Sequence, residues 1–136
     1  DVGFSLRRGP RDGGKVSAVP PSVLIVDDDT AFRDLIRRLL TDLGLVVVGD
    51  VGTVAEALAA AEALRPDAVL VDVGLPDGDG IALAGRLREL DRVPRVVLTS
   101  TDPAAADGTA AGRVGAVGFL PKDELAGDAL RAMLAG

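Results

Sequence analysis

Short runs of apolar residues alternate with longer amphipathic segments along most of the chain. Each run is four or five residues long and rich in valine, which is typical of strands buried on both faces of a parallel sheet. The pattern predicts five strands, at residues 23–26, 45–48, 68–71, 95–98 and 116–120.

The segments between these runs have the length and spacing of helices. In the first segment, apolar residues recur at steps of three and four, which places them on one face of a helix; they are Phe32, Leu35, Ile36, Leu39, Leu40 and Leu43. The second helix is predicted to begin at the capping-box pair Thr53 and Glu56 and to end near Arg65, because Pro66 follows. Three more helices are predicted, at residues 79–91, 102–115 and 123–135.

Strands that alternate with helices are joined by right-handed crossovers, and these place helices on both sides of a parallel sheet. The pattern therefore predicts an α/β protein with a flavodoxin-like, doubly wound (βα)5 fold. Its five-stranded parallel sheet is expected to have the strand order 2-1-3-4-5.

The first 22 residues differ from the rest of the chain. They lack apolar periodicity and are rich in glycine, proline, serine and arginine, so we predict a flexible N-terminal segment or a remnant of cloning at residues 1–22. The folded domain is predicted at residues 23–136. The N-terminal segment has a net charge of +2. Because the whole chain has a net charge of −6, the domain has a net charge of −8. An acidic domain of this kind is not expected to bind nucleic acid directly.

The composition limits the chemistry of the protein. The 136 residues include no cysteine and no histidine, so a metal ion would have to be held by oxygen atoms. No apolar run approaches the length that spans a bilayer, and no leader resembles a signal peptide. We therefore expect a cytoplasmic protein without membrane contact.

Polar side chains stand where the predicted strands end. The carboxyl ends of parallel strands meet at one edge of a sheet, and ligands bind there where the strand order reverses. The side chains expected to converge at this edge are Asp27, Asp28, Asp72, Thr99, Ser100 and Lys122.

Three carboxylates at one edge repel one another, so either at least one of them is protonated or they share a cation. Carboxylate oxygens are hard ligands, and Mg²⁺ is the ion that fits them best. Lys122 is the only lysine outside the N-terminal segment, and its compact ammonium suits a point contact to a phosphate or a carboxylate. The edge is therefore predicted to bind Mg²⁺ and a phosphoryl group.

The motifs VLIVDDD, VLVDVGLPDGDG, VVLTS and GAVGFLPK together resemble the receiver domain of bacterial two-component response regulators, in particular receivers of the NarL/LuxR type. The resemblance covers nearly all of residues 23–136. It implies an acidic pair for magnesium at Asp27 and Asp28, a phosphoacceptor at Asp72, a switch hydroxyl at Thr99, a phosphate-binding lysine at Lys122 and an aromatic switch at Phe119.

The resemblance also implies a function. A sensor histidine kinase or a phosphotransfer protein would donate its phosphoryl group to Asp72, and Mg²⁺ would be held by Asp28, Asp72 and the backbone carbonyl of Gly74, with Asp27 acting through water. Phosphorylation would switch a surface made by the fourth helix, the fifth strand and the fifth helix. The resemblance also makes a homodimer possible. Such a domain is a signalling phosphoacceptor, and its only catalysis is of its own phosphorylation and dephosphorylation. Since Gly74 lacks a side chain, we expect water to reach the phosphate easily.

Three other interpretations depend on particular residues. A receiver that works without phosphorylation, as an interaction or dimerisation module, stays open as the alternative. A haloacid-dehalogenase-like phosphatase needs threonine or valine where Ala31 stands, and a calcium loop would need further acidic ligands after Asp79. Asp77 and Asp79 are therefore predicted to lie in the turn into the third helix, with one or the other of them capping its start.

Overall fold

The computed structural model describes residues 19–102, 113–125 and 127–136. Its main sheet contains five parallel strands in the order β2-β1-β3-β6-β7, which confirms the predicted order 2-1-3-4-5. The strands are β1 (Ser22–Val26), β2 (Val46–Val51), β3 (Ala68–Asp72), β6 (Arg95–Ser100) and β7 (Gly118–Pro121), and the short strands β4 (Gly74–Leu75) and β5 (Gly78–Asp79) form a separate antiparallel pair.

Helices cover both faces of the main sheet. They are α1 (Thr30–Asp42), α2 (Val54–Leu64), α3 (Gly80–Leu87) and a C-terminal helix (Gly127–Ala135). Buried residues of α1 and the C-terminal helix share one apolar cluster, and those of α2 and α3 share another. None of the helices in the described ranges is both long and apolar enough to cross a membrane.

The two clusters explain why the strands are continuous apolar runs. In β1, Val23 and Ile25 belong to the cluster beneath α1, whereas Leu24 and Val26 belong to the cluster beneath α2. All four are at most 1% exposed. Successive side chains of a strand point to opposite faces, so a sheet covered on both sides needs apolar residues at every position.

Each of the first three helices begins with a polar cap. Asp29 accepts a hydrogen bond from the N–H of Phe32, Thr53 accepts one from Glu56, and Asp79 accepts one from Ile81. These caps satisfy amides that have no partner within the helix. The prediction that Asp79 caps the third helix is confirmed.

The structure corrects three details of the predicted helices. Leu35 is 59% exposed, because it lies about 100° around the helix from the buried Ile36. Helix α3 ends at Leu87 rather than residue 91, since the N–H groups of Glu89 and Leu90 bond to carbonyls only three residues back. Residues 122–124 form a 3₁₀ turn, so the C-terminal helix begins at Gly127.

Two predictions lie wholly or mostly outside the described residues. These are the N-terminal segment, of which only residues 19–22 are described, and the fourth predicted helix, of which residues 103–112 are not. The antiparallel pair of β4 and β5 was not predicted. It replaces part of the turn expected before the third helix.

Candidate functional site

Strand register brings the predicted site residues to one edge of the sheet. Asp72 and Thr99 are direct partners at the ends of β3 and β6, and the N–H of Val73 donates to the carbonyl of Thr99 at 2.8 Å. Asp27 follows the last residue of β1, which is paired with Val71. Lys122 follows β7, whose last residue is paired with Ser100. The sheet therefore gathers residues that are far apart in the sequence.

Three carboxylates form a compact group at this edge. Asp27, Asp28 and Asp72 each offer one oxygen atom, and these atoms all lie within 4.8 Å of one another. Asp27 and Asp72 are buried, whereas Asp28 is exposed to solvent. The donor set is all oxygen and carries three formal negative charges, so it fits a hard divalent cation such as Mg²⁺ with room for water on the exposed side.

Asp27 is held by contacts on its backbone and on both carboxylate oxygens. Its N–H donates to the carbonyl of Val51 at 2.9 Å. Its Oδ1 accepts the N–H of Asp29 at 2.8 Å, and its Oδ2 lies 2.6 Å from Nζ of Lys122. Asp27 thus lies buried beside Lys122, and its Oδ1 is tied to the backbone of Asp29.

Lys122 is the cation of the group. Its Nζ is 2.6 Å from Asp27 and 3.5 Å from Asp72, and it lies 4.2 Å from the centroid of the Phe32 ring. Burial opposes the charged ammonium, but the bond to Asp27 and the charges of both aspartates outweigh that effect and raise the pKa of Lys122. The ammonium therefore stays charged and partly neutralises the carboxylates.

The surroundings of Asp72 disfavour its charged form. Burial, followed by repulsion from Asp27, raises its pKa, although Lys122 and the N–H of Gly74 oppose the shift. That N–H donates to Oδ1 at 3.2 Å. A buried carboxylate in this environment gains from any additional positive charge, so a cation placed among the three acids would favour its ionised form.

Two hydroxyl groups follow one another at the end of β6, and the structure distinguishes them. Ser100 accepts the N–H of Asp102 at 3.0 Å and so belongs to a local turn. Thr99 is fully buried, and its Oγ1 has no hydrogen-bond partner among the described residues. An unsatisfied buried hydroxyl costs about 1–3 kcal/mol. Thr99 is therefore prepared to bond a ligand oxygen beside Asp72.

Phe119 lies one step further back on the neighbouring strand. It is paired with Leu98, the residue before Thr99, and it is partly buried against the apolar cluster that includes α2 and α3. Its side chain touches the core rather than the carboxylates. The structure thus places Phe119 outside the polar group and one residue out of register with Thr99, whose direct partner on β7 is Leu120.

Gly80 is a residue beside the site to which the sequence interpretation gave no role there. A Cβ atom added there would lie 2.2 Å from the carbonyl oxygen of Asp72 and 2.8 Å from Cα of Val73. The N–H of Gly80 also donates to the carbonyl of Val73 at 2.7 Å. The start of α3 is thus packed directly against the backbone that carries Asp72, and the sequence signal was a glycine immediately after the helix cap Asp79.

Asp77 does not cap the third helix, since that position belongs to Asp79. Its two carboxylate oxygens accept the N–H groups of Val54 and Ala55, at 2.7 and 3.1 Å. Asp77 therefore joins the loop after β3 to the start of α2, and sequence spacing gave no signal of a contact between residues so far apart.

Replacing Asp77 by alanine should loosen the start of α2, because two amides lose their acceptor. We expect severalfold faster hydrogen exchange at Val54 and Ala55, and a smaller change in the Asp77→Asn variant, which keeps one acceptor oxygen. The bond from Val54 is the main cause that lowers the pKa of Asp77. Its contribution to stability is therefore present above the usual carboxyl pKa and lost as pH falls through the lowered value. Unchanged exchange at both amides would contradict this role.

Comparison with known proteins identifies the family. The family model described as "Response regulator receiver domain" matches residues 23–135. The transcriptional activator DevR/DosR of Mycobacterium tuberculosis is 44% identical over 107 residues, which cover 74% of this chain and 47% of that protein. The nitrate/nitrite response regulator NarL of Escherichia coli is 30% identical over 115 residues, which cover 84% of this chain and 53% of that protein. This chain thus spans about half the length of these relatives.

Solved structures agree with this result. The crystal structure of a LuxR-family two-component response regulator from Aurantimonas matches with a TM-score of 0.77 and 29% identity, covering 87% of each chain. A CheY-like receiver from Methanospirillum hungatei matches with a TM-score of 0.72 and 25% identity, covering 84% of this chain and 90% of that one. This chain and both solved structures thus share the flavodoxin-like fold. The chain belongs to the response regulator receiver domains of bacterial two-component systems.

Proposed function

We propose that Asp72 accepts a phosphoryl group from the phosphohistidine of a sensor kinase or a phosphotransfer protein. The observation that carries this proposal is that Asp72 has a lysine beside its carboxylate and, on the neighbouring strand, a buried hydroxyl with no hydrogen-bond partner in the described part of the chain. Lys122 lies 3.5 Å from its carboxylate, and Thr99 is its in-register neighbour on β6. A cation and a free donor beside a carboxylate are the groups that a transferred phosphoryl needs.

The proposed step is an in-line displacement at phosphorus. An oxygen of Asp72 forms the new P–O bond while the P–N bond to the donor histidine breaks, and the histidine nitrogen keeps the electron pair and takes up a proton. Lys122 remains beside the carboxylate and neutralises charge on the phosphoryl oxygens. The nucleophile must be ionised, so protonation of Asp72 in acid would stop the reaction.

Asp28, Asp72 and the backbone carbonyl of Gly74 are proposed to hold Mg²⁺, with Asp27 acting through water. The compact oxygen group and the exposed position of Asp28 support this assignment. When bound, the ion supplies positive charge that stabilises the transferring phosphoryl group. The burial of Asp27 and its contacts with Asp29 and Lys122 support a role through water.

Thr99 and Phe119 are proposed to link phosphorylation of Asp72 to a conformational change at the surface. A phosphorylated aspartate carries about −1.5 to −2 charges and offers new acceptor oxygens. Thr99 has a donor without a partner, and the bond it forms would draw the end of β6 toward the phosphate. Phe119 would then move toward the space that Thr99 leaves, which alters the surface beside β7. The fourth predicted helix, which the resemblance assigns to the switching surface, lies mostly outside the described residues.

The absence of a side chain at Gly74 is proposed to shorten the lifetime of the phosphate. A Cβ atom added at Gly74 would meet no other atom within 4 Å, so a larger residue fits there without distorting the loop. We expect a Gly74→Gln variant to lose its phosphate severalfold more slowly, because the new side chain limits the access of water. The measurement is the decay of phosphorylated protein after the phosphodonor is removed. An unchanged decay rate would contradict the proposal.

Beryllofluoride with Mg²⁺ tests the proposal against a receiver that acts without phosphorylation. As a mimic of the bound phosphoryl group, it should shift the amide resonances of Gly74, Thr99 and Phe119, and these shifts should be absent in the Asp72→Asn variant. The mass of the particle in solution, measured with and without beryllofluoride, tests whether a homodimer forms. A wild-type spectrum unaffected by beryllofluoride and Mg²⁺ would favour the phosphorylation-independent interaction module.

A further inference from the structure

The backbone of Asp27 is fixed by an arginine of α1. Arg33, in the first turns of α1, donates from Nη1 to the carbonyl oxygen of Asp27 at 2.6 Å. The same guanidinium donates from Nε to Oδ1 of Asp50 on β2 at 2.9 Å. A planar guanidinium can make both bonds at once because its donors have a fixed geometry.

Asp50 is in turn held by two arginines. Arg33 bonds one of its oxygens, and Arg37, one helical turn later, bonds the other. The bond from Arg37 is the largest cause that lowers the pKa of Asp50, so its carboxylate remains charged. The described structure shows no hydrogen bond from Arg37 to Asp27. The two arginines therefore share Asp50 but differ in whether they reach the acidic pair.

The surrounding backbone leaves room for this arrangement. A Cβ atom added at Gly52 would lie 3.0 Å from Nη1 of Arg33 and 3.7 Å from the carbonyl oxygen of Asp27. The side chain of Arg33 is only 18% exposed. Arg33 is thus enclosed between α1 and the end of β2, with its bond to Asp27 in the space beside Gly52.

We infer that Arg33 is a positioning residue that fixes Asp27, and through it the acidic pair with Asp28, in the orientation that receives a divalent cation. Asp50 anchors Arg33, and Gly52 leaves space for its guanidinium. The cation is Mg²⁺ in the proposed function, on which this inference rests. Arg33 itself contacts neither the cation nor the phosphoryl group.

The test compares Arg33→Lys with Arg37→Lys, a matched pair that keeps the charge of each position. A lysine ammonium lacks the several fixed donors of a guanidinium, so it cannot bond Asp50 and the Asp27 carbonyl at once in the same geometry. We expect the Mg²⁺ dissociation constant to rise about tenfold in the first variant, as is typical when a residue that orients a ligand is changed. The second variant should bind Mg²⁺ as the wild type does. The readout is a Mg²⁺ titration followed by amide resonances.

A measurement without metal separates positioning from metal binding. The carbonyl carbon resonance of Asp27 should shift in metal-free Arg33→Lys and stay in place in Arg37→Lys. Gly52→Ala, which crowds the guanidinium but leaves both arginines intact, should also shift it and weaken Mg²⁺ binding. Thermal unfolding of all three variants serves as the control that the domain remains folded.

The outcomes distinguish this inference from the proposed function. If the wild type binds Mg²⁺ and Arg33→Lys binds it equally well, the positioning role is wrong while the metal site stands. Equal losses in Arg33→Lys and Arg37→Lys would also overturn it, because the effect would then come from Asp50 alone. A wild type that binds no Mg²⁺ would overturn the metal role of the site, and this inference with it.

Discussion

Replacing Gly80 by alanine should lower the free energy of unfolding by about 3 kcal/mol and displace Asp72. Helix propensity alone predicts the opposite, since alanine is favoured over glycine inside a helix by about 1 kcal/mol. The geometry outweighs propensity here because the added Cβ would lie 2.2 Å from the Asp72 carbonyl oxygen. The atoms it meets are backbone and cannot rotate away, so either α3 or the end of β3 must move.

Urea unfolding and phosphorylation of the same samples would measure both effects. Gly74→Ala is the matched control, because it makes the same chemical change in the same loop at a position with open space around it. We expect the control to keep its stability within about 0.5 kcal/mol, as is usual for surface substitutions. Equal stability of the Gly80→Ala variant and the wild type would show that the loop does not need this close approach.

Replacing Lys122 by methionine should destabilise the domain by about 3 kcal/mol and slow phosphorylation. Asp27 is 1% exposed and its Oδ2 lies 2.6 Å from the ammonium. Removing the cation leaves a buried carboxylate without its partner and beside a second carboxylate, Asp72. The methionine side chain has a similar length, so the effect reports on charge more than on packing.

The double variant Asp27→Asn, Lys122→Met supplies the control for stability. It removes the buried charge together with its partner, so we expect it to recover more than half of the stability lost in Lys122→Met. It should not recover phosphorylation, because the cation that neutralises the phosphoryl oxygens is still missing. If Lys122→Met unfolds at the same urea concentration as the wild type, the ion pair with Asp27 does not stabilise the fold.

The strand order and the main site residues could be predicted because each depends on a local rule. Buried parallel strands require apolar residues at every position, and such runs are visible in the sequence. The ends of these strands must meet at one edge, so Asp27, Asp72, Thr99 and Lys122 could be assigned to one site before their distances were known. Their order along the chain was enough.

The remaining features depend on contacts that no local pattern encodes. Asp77 bonds α2 rather than α3 because the loop after β3 folds across to that helix, 22 and 23 residues away in sequence. Arg33 of α1 bonds Asp50 of β2, a partner 17 residues away in the sequence. The end of α3 depends on tightened turns at Glu89 and Leu90. Tertiary packing, rather than residue type, decides each of these.

The most direct test of the account is the mass of the protein after incubation with acetyl phosphate and Mg²⁺. The wild type should gain the mass of one phosphoryl group, located at Asp72 by peptide mapping, and removal of Mg²⁺ by a chelator should prevent the gain. The Asp72→Asn variant should gain none. A wild type that stays unmodified, or an Asp72→Asn variant that is modified as readily, would contradict the central claim that Asp72 is the phosphoacceptor.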